Sequence, residues 1–571
     1  MKKVFSFLLL ILVFTNLNAQ VVNDGQLLKS DFWIYQDLET LSLESKEVLF
    51  WDTTPVSVGE IKFYLKQLDY EKLSPNGKDL YNKVYDYLYT TSYIGEKNLQ
   101  SQGIEKDSST RFSVGIDFNP EVYFRTNKDI QSSVQYYYEN WPLSAPIKFG
   151  VSDYVCLELD FFLGKNYYSS TSADSFTNIP LSGGDIEYEF PRFAYGSFGK
   201  TYEDWGYNFT IGKEGFSIGN TTLGSIIYNS TFETDAYSVA SVYSPKFKYN
   251  LIFSQVTHKS FLYLHNFNVK ILPNLKFSIT EGGLREGPIE LKYFNPTMII
   301  HSFYGADIYK TEEEYNLNRH YSSYLGFTLD YNPVKNLRLY FLYAMTEMQL
   351  PGEKNSSYGS LLPNGIGLQG GIDFSHPSGS EGFYVGNIEA VYTCPYLYLK
   401  QSPDWSLVKL RFDKMNASNP VVSWIGSPFG PDTFALTLSF GYTQPQKWSA
   451  KAGYLLTMKG EIGGKTIQEK LPLKSEKDNP NAEKYPAYYP TVLHELGYLT
   501  EEEARELAQV QGLSGIIQYR NDVSISGEYW FSEKLKANAE GIYTFVFNNN
   551  HKKNDFQQGF ELKLSCSYNI F

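Results

Sequence analysis

From position 111 onward the chain alternates apolar and polar residues, and no other feature limits its fold more. Residues 111–119 read RFSVGIDFN: Phe112, Val114, Ile116 and Phe118 share one face, and Arg111, Ser113, Asp117 and Asn119 share the other. A period of two belongs to an extended strand whose faces meet different surroundings. The pattern recurs along nearly all of the remaining sequence and is never broken by an apolar run long enough to span a bilayer as a helix. Strands that cross a membrane must close into a barrel, because an open edge in lipid would leave backbone groups unpaired. The expected fold is therefore an all-β transmembrane antiparallel β-barrel of an outer membrane, with roughly 18 strands and an even number of them.

The first residues carry an export signal. Lys2 and Lys3 precede an apolar run from Val4 to Phe14, and Leu17-Asn18-Ala19 forms a small-residue cleavage box. Residues 1–19 are read as a signal peptide. No cysteine follows the box, so lipid attachment there is not expected.

Composition fits a barrel in a way that simple hydropathy hides. Mean hydropathy is −0.33, the value of a soluble protein, because lumen-facing polar residues cancel lipid-facing apolar ones. Of the 571 residues 17% are aromatic, with 48 Tyr and 40 Phe, as expected of aromatic girdles at the two membrane interfaces. A large soluble β-protein is the plainer alternative. Net charge is −13 without a Lys/Arg cluster, so no nucleic-acid partner is expected. Cys156, Cys394 and Cys566 are too few and too far apart for a disulfide framework or a zinc site.

Residues 20–105 follow different rules. Ser57-Val58-Gly59-Glu60 is a capping box ahead of Ile61, Tyr64, Leu65 and Leu68, which share a helical face. Ser74-Pro75 offers an N-cap and first-turn proline before Leu80, Tyr81, Val84, Tyr85 and Leu88. A further helix is expected over roughly 26–44. This reads as a small α-helical periplasmic domain, followed by the barrel over 106–571. Within the barrel, Ser244-Pro245-Lys246, Leu272-Pro273-Asn274, Asn332-Pro333-Val334, Gln444-Pro445-Gln446 and Ser532-Glu533-Lys534 mark short turns. Longer connections, about 284–317, 349–364 and 461–515, are expected to be extracellular. The last holds a capping box, Thr500 and Glu503, and its helix is either a plug or a lid. In 535–547, Leu535, Ala537, Ala539, Tyr543, Phe545 and Phe547 face out, and Lys536, Asn538, Glu540 and Thr544 face in. A lysine at the bilayer midplane costs about 2–4 kcal/mol, which settles the facing. The final strand has its apolar phase on Phe560, Leu562, Leu564, Cys566, Tyr568 and Ile570, leaving Phe571 one residue out of register.

Catalytic patterns fail on inspection. Gly215-Phe216-Ser217-Ile218-Gly219 matches a nucleophile elbow, yet no helical sequence follows it. Gly463-Gly464-Lys465-Thr466 lacks the first glycine of a phosphate loop, since position 459 is lysine. His494-Glu495 has no second histidine, and the seven histidines are scattered. No catalytic residue, metal ligand or cofactor is expected, and the chain is not read as an enzyme. A polar lumen rich in Tyr and Trp suits carbohydrate, whose hydroxyls need many partners and whose apolar ring face packs on aromatics.

Several segments, in order, resemble the Wzi family of capsule assembly proteins. They are Phe209-Thr210-Ile211-Gly212-Lys213-Glu214 with Gly219; Phe277-Ser278-Ile279-Thr280-Glu281 with Leu291-Lys292-Tyr293-Phe294-Asn295-Pro296; Leu342 to Gln349; Glu389 to Tyr396; and Ile425-Gly426-Ser427-Pro428-Phe429-Gly430-Pro431-Asp432. The resemblance implies an outer-membrane barrel with a periplasmic helical domain that attaches capsular polysaccharide to the cell surface as a lectin. It implies that Gly212, Lys213, Glu281, Asn295 and Glu347 face polysaccharide or hold a plug. Lys213 stands where the family pattern has arginine, Glu347 lacks a following acidic cluster, and 461–515 is long. Expected partners are surface polysaccharide, outer-membrane lipid and the barrel assembly machinery, with the protein a monomer. The alternative is a diffusion channel or transporter for small solutes, which requires a continuous polar pore.

Overall fold

The computed structural model describes residues 23–30, 32–89, 110–130, 141–165, 177–229, 235–257, 259–297, 311, 321–349, 352, 354, 359–379, 381–401, 405–411, 421–463 and 489–569. The signal peptide, the start of the mature chain, His258, Lys465 and Phe571 lie outside them.

The alternating segments close into one antiparallel barrel with eighteen strand positions. In chain order β1 runs over 110–125, β2 is Leu143–Val151, β3 Val155–Lys165, β4 Ile186–Thr201, β5 Gly206–Glu214 and β6 Asp235–Tyr243. Next come β7 Phe247–Gln255, β8 Ser260–Leu272, β9 Leu275–Glu286, β10 Tyr321–Tyr331, β11 Leu337–Glu347 and β12 Gly365–Pro377. The last are β13 Phe383–Thr393, β14 Thr433–Gln444, β15 Trp448–Lys459, β16 Gln518–Ser532, β17 Leu535–Phe547 and β18 Phe556–Asn569. Each pairs with its chain neighbours, and β18 returns to β1.

The closing strand β1 is broken into Thr110–Val114, Asp117–Phe118 and Glu121–Arg125. Its first piece pairs with β2, its last with β18, and the middle piece touches both. Pro120 cannot donate to a ladder and sits at the second break.

Side-chain facing follows the alternation. Phe209 and Ile211 on β5, Phe341 on β11, Phe440 on β14, Ile525 on β16 and Leu564 on β18 are exposed on the outer wall. Asn208, Thr210, Arg338 and Glu389, one residue out of phase with those neighbours, are buried inside. In β17 Tyr543 and Phe547 are exposed outside while Thr544 is buried, as the lysine argument requires.

All five expected turns connect adjacent strands. They lie at one end of the barrel, here called the turn end; the long connections gather at the other, the loop end. Four long connections were not anticipated: 126–142 between β1 and β2, 166–185 between β3 and β4, 215–234 between β5 and β6, and 394–432 between β13 and β14.

The N-terminal segment folds into α1 (Trp33–Ser45), α2 (Val58–Leu65) and α3 (Pro75–Tyr89). Helix α1 begins later than the expected 26, because Leu27–Leu28 instead pairs with Val56–Ser57. The α2 capping box is formed: Glu60 N–H donates to Ser57 Oγ at 3.3 Å, and Ser57 N–H donates to Glu60 Oε2 at 2.9 Å. Leu38, Leu41, Phe50, Ile61, Leu80 and Val84 form a core that also takes in Tyr243 and Phe383 from the barrel wall. The helices therefore sit on the turn end. Val48 N–H donates to Pro273 O at 2.9 Å, Asn336 N–H to Leu43 O at 2.7 Å, and Asn76 Nδ2 to Gly382 O at 2.8 Å.

Candidate functional site

The barrel interior is furnished by the chain itself. From the turn end, residues 50–56 reach inward between the inward rows of β7 to β10. Lys276 Nζ donates to Trp51 O at 2.7 Å, Lys248 Nζ to Thr53 Oγ1 at 3.1 Å, and Asn266 Nδ2 to Asp52 Oδ2 at 3.4 Å. Lys248 also forms a buried ion pair with Glu60. There this finger meets residues 215–229, which descend from β5. Thr53–Thr54 pairs antiparallel with Ser217–Ile218, and Gly219 N–H donates to Asp52 O at 2.6 Å. Gly219 has φ of 108°, and a Cβ there would lie 2.8 Å from Leu342, so the turn into the lumen needs glycine.

Wall residues from distant strands satisfy the irregular backbone of 215–229. Glu389 on β13 accepts from Thr222 N–H at 2.8 Å and Leu223 N–H at 3.0 Å. Gln369 on β12 accepts from Ile226 N–H at 3.0 Å and donates to Gly224 O at 3.0 Å and Glu389 Oε1 at 2.8 Å. Tyr324 on β10 donates to Ile226 O at 3.0 Å. A buried peptide group left unpaired would cost about 1–3 kcal/mol, so these bonds fix the segment rather than decorate it.

The described residues of 394–432 enter from the loop end and add to the filling. Tyr398 donates to Ile226 O at 2.6 Å and accepts from Ser427 N–H at 2.9 Å. Asn229 N–H donates to Ile425 O at 2.7 Å. A Cβ on Gly426 would lie 2.2 Å from Ile226 O, which explains one glycine of the Ile425–Asp432 stretch. Asp432 in turn anchors the 461–515 connection, accepting from Ile462 N–H at 3.1 Å, Gly463 N–H at 3.2 Å and Ser514 N–H at 3.0 Å. In that connection α4 (Pro490–Glu495) packs onto the filling, with Tyr489 edge-on to Tyr396 at 5.9 Å. The capped helix α5 (Glu501–Ala508) buries Ala504 and Ala508 and leaves its acidic face exposed. Of these two helices α4 is part of the buried filling, and α5 packs beside Gly359–Leu361.

Under the helical domain the wall carries a charged cluster. Arg338 donates to Asp330 at 2.8 Å, Asp373 at 2.8 Å and Asn220 O at 2.8 Å, and Lys276 pairs with Asp330 at 3.0 Å. Arg338, Asp330, Lys276 and Asp373 border a cleft of about 360 Å³ together with Glu39, Ser42 and Asn332. Glu39 of α1 faces Arg338 at 3.9 Å. Its side chain is still 49% exposed; partial enclosure in the cleft and the charge of Asp373 raise its carboxyl to about 7, against the pull of Arg338. Burial likewise raises Asp52, against Lys276.

The five residues singled out by resemblance do not form one cluster. Gly212 is on the inward face of β5, where a Cβ would strike Tyr195 Cβ at 2.6 Å. Lys213 has the phase of the outward Phe209 and Ile211. Glu281 has the phase of the outward Phe277 and lies opposite His265 in register. His265 contacts Tyr293 O at 3.2 Å, so Glu281 flanks residues 289–297, which fold against the outer wall over Tyr263. Asn295 is exposed there, and its Oδ1 accepts from Thr297 N–H at 3.1 Å. Glu347 ends β11 at the loop end, accepting from Gln349 Nε2 at 2.7 Å and pairing with Lys400 of the lumen filling. Of the five, it is Glu347 that ties the wall to a filling segment through its side chain. The residues that hold the filling most firmly, Glu389, Gln369, Tyr324 and Arg338, were not singled out by sequence. Their signal was an inward polar phase shared with dozens of ordinary lumen residues. Among the described residues no group of His, Cys, Asp and Glu is placed to hold a metal ion.

No protein-family model matches the sequence, and no curated protein sequence matches it. Solved structures do match in fold. Wzi is an Escherichia coli outer-membrane protein involved in group 1 capsule assembly and described as a carbohydrate-binding β-barrel. It aligns with 95% of this chain and 99% of its own, at 12% identity and a TM-score of 0.51. OprD of Pseudomonas aeruginosa aligns with 81% of this chain and 96% of its own, at 9% identity and a TM-score of 0.38. The outer-membrane channel DcaP of Acinetobacter baumannii aligns with 82% and 99%, at 9% identity and a TM-score of 0.32. The chain has the fold of an eighteen-strand outer-membrane β-barrel like that of Wzi, with an interior built largely from its own loops and N-terminal segment.

Proposed function

We propose that this barrel binds or anchors surface polysaccharide, capsular where the cell has a capsule, as a non-catalytic lectin. The helical domain then lies in the periplasm and the long connections face outside. The observation that carries this reading is the filled interior. Twelve consecutive strands, β3 to β14, turn almost all of their inward side chains onto the chain's own segments. A barrel devoted to free diffusion has no use for so much ordered protein in its lumen. The likeness of fold to a carbohydrate-binding barrel supports it further.

The binding surface is expected at the loop end, where Glu347, Gln349 and Lys400 form a polar cluster. Gly212 would shape the inner wall on another part of the barrel, against Tyr195. Lys213, Glu281 and Asn295 would contribute only from the rim or the outer wall.

The test is binding of the detergent-purified mature protein to surface polysaccharide from its own cells, against a glycan-free mock extract. Saturable binding, weakened by Glu347→Ala more than by Lys213→Ala or Glu281→Gln, is the expected result. Absence of saturable binding by a folded protein overturns the proposal.

A further inference from the structure

The filling is lopsided. On β8 to β11 the inward residues, such as Leu264, Ser278, Thr328 and Leu342, are buried. On β15 every inward residue from Ser449 to Lys459 is half-exposed, as are most inward residues of β16, β17 and β18. An inward side chain on a closed barrel can meet solvent only through the lumen. Among the described residues, solvent therefore touches this wall at positions spread along most of a twelve-residue strand, about 40 Å long, and over roughly 15–20 Å of its arc.

The chemistry of this wall is balanced. Lys451, Lys536 and Lys563 alternate with Glu528, Glu540 and Glu561. Lys536 pairs with Glu528 at 3.4 Å, and Glu540 stands opposite Lys563 in register. Hydroxyl and amide groups such as Ser526 and Asn538 lie between them. Alternating signs cancel at a distance, so neither cations nor anions gain a sustained field along the path. Toward the loop end the wall tightens, where Asp522 and Thr544 are buried and Arg520 donates to Asp522 at 2.9 Å.

We propose that the lumen sector walled by β15 to β18 is a solvated conduit for small uncharged or zwitterionic polar solutes, running beside the filled sector. This activity is independent of the polysaccharide reading: glycan binding at the loop end and permeation along this wall can each fail alone.

The experiment is single-channel recording of the purified full-length protein in planar bilayers in KCl, with folding verified by resistance to unfolding in cold detergent. Discrete steps are expected, with a reversal potential near zero in a KCl gradient. A bulky cationic methanethiosulfonate reagent should reduce the steps of Ser526→Cys by more than half, and those of Asn538→Cys on the adjacent strand likewise. It should leave Ile525→Cys, on the outer face, unchanged. Wild type is the control, because Cys156 and Cys394 are buried and Cys566 has an outward phase. Folded protein without steps, or steps insensitive to modification at both inward positions, overturns the conduit. A strongly ion-selective reversal potential overturns the assigned solute class.

Discussion

Glu39 joins a mobile charge balance to the docking of α1. Its surroundings raise its carboxyl to about 7, against 4.5 for the unperturbed group. The folded state thus holds this proton more tightly, and its contribution to stability is fullest below about 4.5. It is lost as pH rises from 4.5 through 7, and stays flat above that. Hydrogen exchange of α1 amides across this window should show docking weakening with pH, and Glu39→Gln should remove that part of the dependence. Arg338 is the opposite case, a cation with two acceptors in the wall, Asp330 and Asp373, and a third, Asn220 O, in the filling. Arg338→Met leaves Asp373 and part of Asp330 uncompensated and is expected to cost about 3–5 kcal/mol, whereas adding Asp330→Asn should recover part of the loss. Chemical unfolding midpoints of the single and double variants in lipid vesicles check this. The facing of Lys213 and Glu281 was already countable, since each shares the parity of Phe209 and Ile211 or of Phe277 and Ile279. Their motifs drew attention to residue type, and type does not report which side of a wall a residue occupies.

The helices and turns were readable because their signals are local. Ser57 and Glu60, or Thr500 and Glu503, are three residues apart and need no knowledge of the rest of the chain. Ser57→Ala should therefore cost about 1 kcal/mol in the unfolding of the N-terminal domain, measured by the same midpoints. Residues 215–229 and 394–432 were invisible for the converse reason. Their described residues are held by Glu389, Gln369, Tyr324 and Tyr398, each more than ninety positions from some of the groups it binds. The stretch Gly215–Gly219 that matches a nucleophile elbow was the start of such a segment: Gly219 answers a tight approach to Leu342. Replacing 220–228 by a Gly-Ser linker should enlarge conductance steps while far-UV circular dichroism keeps its strand content. Unchanged steps would mean that the segment does not obstruct the lumen.

At the level of the whole barrel, two solvents act on one wall, and adjacent residues report them separately. Ile525 is 69% exposed on the outer face, and Ser526 is turned inward. Ile525→Lys is expected to destabilise the bilayer-inserted protein by about 2–4 kcal/mol, and Ser526→Lys by much less. Urea titration of protein in vesicles distinguishes the two. The broken strand β1 has a temporal consequence. Its last piece pairs Glu121 with Ser565 and Arg125 with Glu561, so the first strand made cannot find its second partner until the last one is synthesised. Until then the sheet has two bare margins, each a template for a neighbouring molecule. Joining such distant positions is slow. A shortened chain of this protein that lacks β18 would therefore keep both margins bare, and the seam at β1 is where it would stick to its siblings.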